Sequence, residues 1–438
     1  MTEAFTHALA EALAARVATP PVPELALEAW RLTVDAGTSV EVGLKDGNLG
    51  GPYDAPNGVT GLRGEAYVRW ADGLVSRGVV DRTTPEALDA DLRAWRQAAY
   101  RDPWAPEVVG PSGLPQVPLW DAGAAAWVAG DTGPMFEILG QLAAELPAYG
   151  AERVSGSVTA VEASRTIVTS RGFAHSARST SVAAWAEVDG RASDGVSARR
   201  RPGPEELAGV IRRVGEHGRA LQRETALVPG RQTVVLWPSA AEAMWSRYVI
   251  GNLDGQRVLH GGGAFTLAQF GAEVAPFHPS LSFGLDPLRP LSTGSYVVSA
   301  EGVPARACSF IERGRLVTPL LDLKHARRAE LPPTPWPRGA SSWVLPAPTG
   351  DLEALIGTVE RGLLVFQLLG LHTQDAASGR FSLTVSQGLV IERGRLLGRA
   401  KAIVAGNFLE ALQSPVTWAR VAGKDGLALA LEMEVTPG

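Results

Sequence analysis

A metal site on a helix needs two donors about one turn apart, and imidazole is the donor most often used. The seven histidines are His7, His175, His217, His260, His278, His325 and His372, and none come closer than the 18 residues separating His260 from His278. A helix-borne His-x-x-x-His or His-Glu-x-x-His site is therefore excluded, and only a site gathered from distant ligands is left. The glycine-rich "HGGGAF" at 260–265 lacks the lysine and hydroxyl of a phosphate-binding loop and reads as a flexible turn. No serine stands in a Gly-x-Ser-x-Gly elbow. The single cysteine, Cys308, lies in the alternating segment "ARACSFIERG", where it reads as a small apolar side chain. One loop, "GLHTQDAASGRFS" at 370–382, combines His372, Asp375 and Ser378, and its composition is that of a polar hairpin loop.

The stretch that has the form of an active-site mount is "GRQTVVLWPSAAEAMWSRYVIGN", residues 230–252. It reads as a buried strand running into a capped helix that carries Met244, Trp245, Ser246, Arg247 and Tyr248. Around it, 438 residues are too many for one ordinary core, and 45% hydrophobic with 20% charged residues is the balance of a globular chain. A net charge of −5 gives no overall attraction to phosphate backbones, so direct nucleic-acid binding is not expected. The run Arg199-Arg200-Arg201 reads as a solvated loop. A lone cysteine fits a reducing cytoplasm, and no apolar run is long enough to span a membrane. The N-terminal "MTEAFTHALAEALAARVATPP" is an amphipathic helix carrying Glu3 and Glu11, unlike a secretion signal.

Helices are expected at about 3–17 and 23–36, followed by strands in "SVEVGLKDG", "LRGEAYVRWADG" and "LVSRGVVDR". In "TTPEALDADLRAWRQAAYRD" Thr84 is placed to cap a helix with Pro85 at its first position, and Leu88, Leu92, Trp95 and Ala99 form its apolar stripe. Five prolines in 101–120 imply an irregular connection. After a helix bearing Met135, Ile138, Leu139, Leu142 and Leu146 come strands in "RVSGSVTAVEAS", "RTIVTS" and "STSVAAWAEVDG", then a long helix in "PEELAGVIRRVGEHGRALQRE". The second half is rich in strands: "GSYVVSAEG", "ARACSFIERGRLVTP", "GRFSLTVSQGLVIERGRLLG" and "LALALEMEVT". "IERGRL" recurs at 311–316 and 391–396 as hairpins turning at Gly314 and Gly394. The expected fold class is α+β, with a mixed α/β N-terminal half, residues 1–224, and a C-terminal half, residues 225–438, dominated by antiparallel hairpins in one large sheet curled on itself.

Several segments together resemble the TldD/PmbA family, peptidase-like proteins long labelled modulators of DNA gyrase, in which a TldD chain pairs with a PmbA (TldE) chain. "IVTSRGFAHSARSTS" at 167–181 is similar to the family's paired strands. "SAEGVPARACSFIERGRLVTPLLDLKHAR" at 299–327 resembles its Asp-Glu-Gly-Val-Pro hairpin, with Ala300 in place of the acidic residue. "SGRFSLTVSQGLVIERGRL" and "AKAIVAGNFLEAL" look like its closing segments. In TldD-type chains the strand and helix of 230–252 would lead into His-Glu-x-x-x-His, with a cysteine of a C-terminal Cys-Gly-Lys as third zinc ligand. Here Ser246, Arg247 and Gly251 stand in the first motif and Ala422 of "AGKDG" in the second. Serine, glycine and alanine are poor zinc ligands, and Arg247 would set a cation beside the metal.

The resemblance therefore implies a PmbA/TldE-like member of a metalloprotease family without its own zinc site or other cofactor. Its expected partner is a zinc-bearing TldD-like chain, in a heterodimer, or a second copy of itself, in a homodimer. The expected substrate is an extended unfolded or leader peptide, held in a cleft at the displaced motif around Ser246, Arg247, Gly251, His260 and Gly262. Two other readings are a homodimeric peptide-binding protein and a stand-alone hydrolase using residues such as His372 and Asp375.

Overall fold

The computed structural model describes residues 2–44, 55–80, 83–335, 342–422, 424 and 426–438. Residues 45–47 of "SVEVGLKDG", Asp81 and Arg82 of "LVSRGVVDR", and Gly423 and Asp425 of "AGKDG" lie outside the described residues.

Seven strands, β1 (Leu27–Leu44), β2 (Asn57–Trp70), β3 (Leu74–Val79), β4 (Tyr100–Arg101), β5 (Val154–Thr169), β6 (Ala174–Val188) and β7 (Ala192–Ala198), form one antiparallel sheet in the order β4-β3-β2-β1-β5-β6-β7. The helix expected at 23–36 is not formed, because β1 takes most of that segment. Its residues "LEAWRLTV" suit a helix, but the strand lies between β2 and β5 and pairs with both along its length, which outweighs local propensity. "RVSGSVTAVEAS" and "RTIVTS" fuse into the single strand β5.

The helices of this half are α1 (Thr2–Ala18), α2 (Leu88–Gln97), α3 (Ala122–Val128), α4 (Gly133–Glu145) and α5 (Pro204–Leu221). The α2 stripe buries Leu88, Leu92 and Trp95 as expected. Its start is later than expected: Ala87 is the N-cap, and the Thr84 hydroxyl instead accepts from the Ala87 N–H at 3.2 Å to close the turn before the helix. The proline-rich 102–120 is irregular throughout. The arginine run is not simply a solvated loop. Arg199 donates to the carbonyls of Ser292 (2.9 Å), Thr180 (3.2 Å), Thr293 (3.2 Å) and Ser295 (2.7 Å), fixing the turn at 289–295 against the first sheet.

The second half begins with β8 (Gly230–Leu236), α6 (Pro238–Trp245), α7 (Gly251–Leu253) and α8 (Gly255–His260). A small sheet follows, of β9 (Phe283–Leu285), β10 (Cys308–Glu312), β11 (Arg315–Leu316) and β12 (Trp343–Val344), and α9 (Leu323–Ala329) packs against α8. The strand expected in "GSYVVSAEG" is an irregular segment ending in a tight turn. There the Ser299 hydroxyl accepts from the N–H groups of Glu301 (3.2 Å) and Val303 (3.1 Å), and Gly302 is left-handed at φ +89°. Then come β13 (Gly350–Asp351), α10 (Leu352–Thr358), β14 (Arg361–Leu369), β15 (Arg380–Glu392), β16 (Arg395–Arg399), β17 (Ala402–Asn407), α11 (Phe408–Ala411), β18 (Thr417–Arg420) and β19 (Leu427–Pro437). Both "IERGRL" hairpins form, with positive φ at Arg313-Gly314 and Arg393-Gly394, as a two-residue turn matched to strand twist requires.

The large sheet does curl on itself. β8 pairs in parallel with β14 and antiparallel with β19, so β8-β14-β15-β17-β19 closes into a five-stranded barrel. Alternate residues of all five strands, among them Val234, Leu363, Leu383, Val404 and Leu431, enter one core cluster. Residues of the opposite parity, such as Val235, Leu364 and Ala430, join a second cluster with α4, α5 and the first sheet. The α+β class holds, and among the described residues no helix is long and apolar enough to cross a membrane.

Candidate functional site

The strand-to-helix unit of 230–252 is built as the sequence implies. β8 sends Val234 and Leu236 into the barrel cluster, the chain stays extended at Trp237, and Pro238 opens α6, where its missing N–H is not needed. Ala240, Ala241, Met244 and Trp245 are buried, and the Trp245 ring meets Phe283 (5.2 Å), Trp418 (5.4 Å) and Phe408 (6.3 Å) edge-on. The helix does not continue as α-helix. Residues Ser246–Ile250 form a π-turn, in which the Gly251 N–H donates to the Ser246 carbonyl five residues back.

That turn has a geometric effect. Residues five apart diverge around an α-helix but stack on a π-turn, so positions 246 and 251 share one face. A Cβ on Gly251 would lie 3.3 Å from the Ser246 carbonyl oxygen. Below the turn, Asn252 is fully buried. It donates to the Tyr248 and Ala376 carbonyls, both at 2.7 Å, and accepts from the Ala264 N–H at 2.8 Å, so it locks the turn to two loops. Arg247 donates to the Gln374 carbonyl, while its Nε is buried without a partner among the described residues.

Ser246 is exposed, and Gly251 and Ala422 have no donor to offer. His260 has both ring nitrogens engaged: Nδ1 with the Gln256 carbonyl at 2.8 Å, and Nε2 with Arg328 at 2.6 Å. Arg328 can only donate, so Nε2 accepts and Nδ1 carries the proton. His278 Nδ1 accepts from the Ser280 N–H at 3.2 Å. Gly261 ends α8 in the left-handed conformation, and the Gly262 N–H donates to Arg257. Among the described residues no three His, Cys, Asp or Glu side chains are grouped to hold a metal ion. One hydroxyl at the three motif positions does not make a zinc donor set, so zinc does not fit here.

The loop bearing Asp375 and Ser378 closes on itself. The Asp375 carboxylate accepts from the Ala377 N–H at 3.0 Å, which with smaller contributions holds it below the usual carboxylate range, and Ser378 donates to the Asp375 carbonyl. His372 shares no hydrogen bond with either, so no triad forms.

Sequence reasoning missed what anchors Ala422. Its carbonyl accepts from Arg213 Nη1 at 2.6 Å, and Arg213 Nε donates to Asp194 at 2.6 Å. Lys424 pairs with the other Asp194 oxygen and donates to the Gly195 carbonyl at 2.7 Å. The Asp194 side chain is only 5% exposed and that of Arg213 7%, so α5, β7 and the C-terminal loop meet in a buried cluster of two cations and one carboxylate. His217 lies nearby, packed on Trp237 (5.0 Å) and Phe366 (4.6 Å), and burial pushes its imidazole down to about 4.

Beside this cluster a cleft of about 520 Å³ opens between α6, the outer strand β7 and the C-terminal loop. Glu242, Trp245, Arg289, Trp343, Trp418 and Ala422 are among its walls, whereas Ser246, Gly251, His260 and Gly262 do not line it. Nothing in the spacing of Asp194, Arg213, Arg289 or Lys424 announced this site, because each comes from a different element.

Residues 229–421 match the family model described as the PmbA/TldA metallopeptidase C-terminal domain. No curated protein matches the chain. Among solved structures it is similar to TldE from Thermococcus kodakarensis, with a TM-score of 0.79 and 18% identity over 94% of this chain and 97% of that one. It is also similar to a candidate modulator of DNA gyrase from Bacteroides thetaiotaomicron (TM-score 0.78, 18% identity, 100% of this chain and 98% of that one). A third is a candidate modulator of DNA gyrase from Thermotoga maritima (TM-score 0.76, 17% identity, 93% and 96%). At such identities the likeness is one of fold, and the family assignment rests on residues 229–421, which belong to the C-terminal domain family of the PmbA/TldD metallopeptidases.

Proposed function

We propose that this chain is a non-catalytic, PmbA/TldE-like subunit that works in the cytoplasm with a zinc-bearing TldD-like chain on unfolded or leader peptides. The π-turn supports this reading most directly. It keeps positions 246 and 251 on one face, the arrangement a pair of metal-binding imidazoles five residues apart would need, while the residues there are serine and glycine. The backbone of a ligand-bearing helix is kept without its ligands. A fold of this kind still offers a cleft and, along it, the edge of β7 at Val196–Ser197, next to the Gly195 carbonyl that Lys424 holds, where an extended peptide can lie for a partner's metal.

The test is to purify the chain, add the closest relative carrying His-Glu-x-x-x-His, and follow cleavage of an unfolded peptide. The chain alone is expected to be inactive and the mixture faster than the relative alone. Cleavage by the chain alone in the presence of a chelator sinks the proposal. So does failure of the chain either to bind the relative or to change its rate, and the peptide-binding homodimer then takes its place.

A further inference from the structure

The cleft beside Ala422 holds one guanidinium that has no partner among the described residues. Arg289 Nε is buried without a partner, and among the described residues Arg289 makes no side-chain hydrogen bond or ion pair. The other charges at the cleft are spoken for or screened. Lys424 is paired with Asp194, Arg420 reaches Asp351 at 3.9 Å, Glu206 is held by Arg200 at 2.7 Å, and Glu242 is exposed to solvent. A half-buried guanidinium with no counter-ion is poorly solvated and is a ready partner for a carboxylate, which can take two of its N–H groups at once. Arg289 is also held in place, because the turn that follows it is fixed by three Arg199 contacts, to the Ser292, Thr293 and Ser295 carbonyls, and by the Ser295 hydroxyl on the Arg289 carbonyl.

Three indoles are among the walls of the same cleft. Trp245 and Trp418 are stacked edge to face at 5.4 Å, and Trp343 is half-buried beside Phe283 at 5.3 Å. We infer that this cleft binds the C-terminal residue of a peptide, with its α-carboxylate on Arg289 and an apolar side chain against Trp343, the most exposed of the three rings, which the buried Trp245 and Trp418 back. At a chain end the carboxylate and the side chain branch from one carbon, which suits a single cation set beside an apolar wall. An internal aspartate or glutamate brings the charge without the adjacent apolar group. The inference rests on reading this cleft as one that holds peptide, and it adds which part of the peptide is held.

Binding of an unstructured, N-acetylated hexapeptide ending in phenylalanine is measured by calorimetry and tryptophan fluorescence, as the free acid and as the C-terminal amide. N-acetyl-phenylalanine alone separates a peptide end from a small apolar acid. The free acid is expected to bind roughly 10-fold or more tighter than the amide, a usual margin for a charge-assisted contact. In Arg289→Gln that difference disappears while amide binding is unchanged, and Arg289→Lys restores part of it. Equal binding of acid and amide, an undiminished difference in a folded Arg289→Gln, or no binding of either peptide overturns the inference. If N-acetyl-phenylalanine binds as tightly as the hexapeptide, the site takes small acids and the peptide-end assignment falls. These outcomes are independent of the partner assay: a chain that prefers the acid yet never affects the zinc-bearing relative keeps this inference and loses the subunit reading.

Discussion

Replacing Asp194 with asparagine preserves side-chain shape but removes the one carboxylate that faces both Arg213 and Lys424 among the described residues. Breaking a buried ion pair from one side costs about 3–5 kcal/mol, because the abandoned charge stays out of water. Arg213 is 7% exposed and fits that case, while Lys424, at 20%, can turn partly to solvent. The expected loss for Asp194→Asn is therefore near the lower bound, about 3 kcal/mol. Adding Lys424→Met removes one stranded cation and is expected to return about 1 kcal/mol, on the scale of a hydrogen bond to a charged group. Urea unfolding followed by tryptophan fluorescence measures all three proteins. Limited proteolysis reports whether the backbone at Ala422 becomes accessible once Arg213 no longer holds its carbonyl. A loss below about 1 kcal/mol, the level of an exposed pair, refutes the claim that this cluster is desolvated and pins that backbone.

Gly302→Ala is expected to destabilise by roughly 2 kcal/mol or more, since φ is +89° and the new Cβ would lie 2.3 Å from Val109 Cγ2. Val109→Ala in the same protein should relieve the clash but not the backbone strain, and full recovery would contradict this account. His217, pushed down to about 4 by burial from 6.5, takes up its proton at lower pH in the folded chain than in the unfolded one. Its contribution is whole above pH 6.5 and is lost as pH falls toward 4. His217→Leu should flatten that limb of the stability profile, and superimposable acid limbs would count against it. Elemental analysis after mild dialysis should find far less than one zinc per chain, since one hydroxyl stands at the motif positions. A stoichiometric, tightly held zinc would return attention to His260 and His278.

What the sequence disclosed depended on how local the cause was. The α2 stripe, the β8–α6 unit and both Arg-Gly hairpin turns follow from neighbours a few residues apart, and they form. The expected helix at 23–36 failed because its fate was decided by β2 and β5, far along the chain. The closure of β8 on β19 needs a pairing that no window contains. At the site, the residues at 246, 251 and 422 were legible only through a family resemblance. The π-turn that stacks the first two depends on a hydrogen-bond register that side-chain identity does not encode. Arg289 went unnoticed because its interest lies in lacking partners, which only a three-dimensional neighbourhood reveals.

The barrel seam carries a consequence for how the chain acquires its shape. Leu236 of β8 pairs with Leu429 of β19, 193 residues downstream, so the ring cannot close until nearly all the intervening chain has been made. Until then β8 has its parallel neighbour β14 at most, and its other edge, flanked by Val234 and Leu236, is open and apolar. Such an edge is a template for strands of other molecules. Folding of this half is thus expected to be slow and late, since its decisive contact is among its least local. Nascent chains stalled before residue 427 should be kept soluble by chaperones, whereas chains released with β19 in place should not need them.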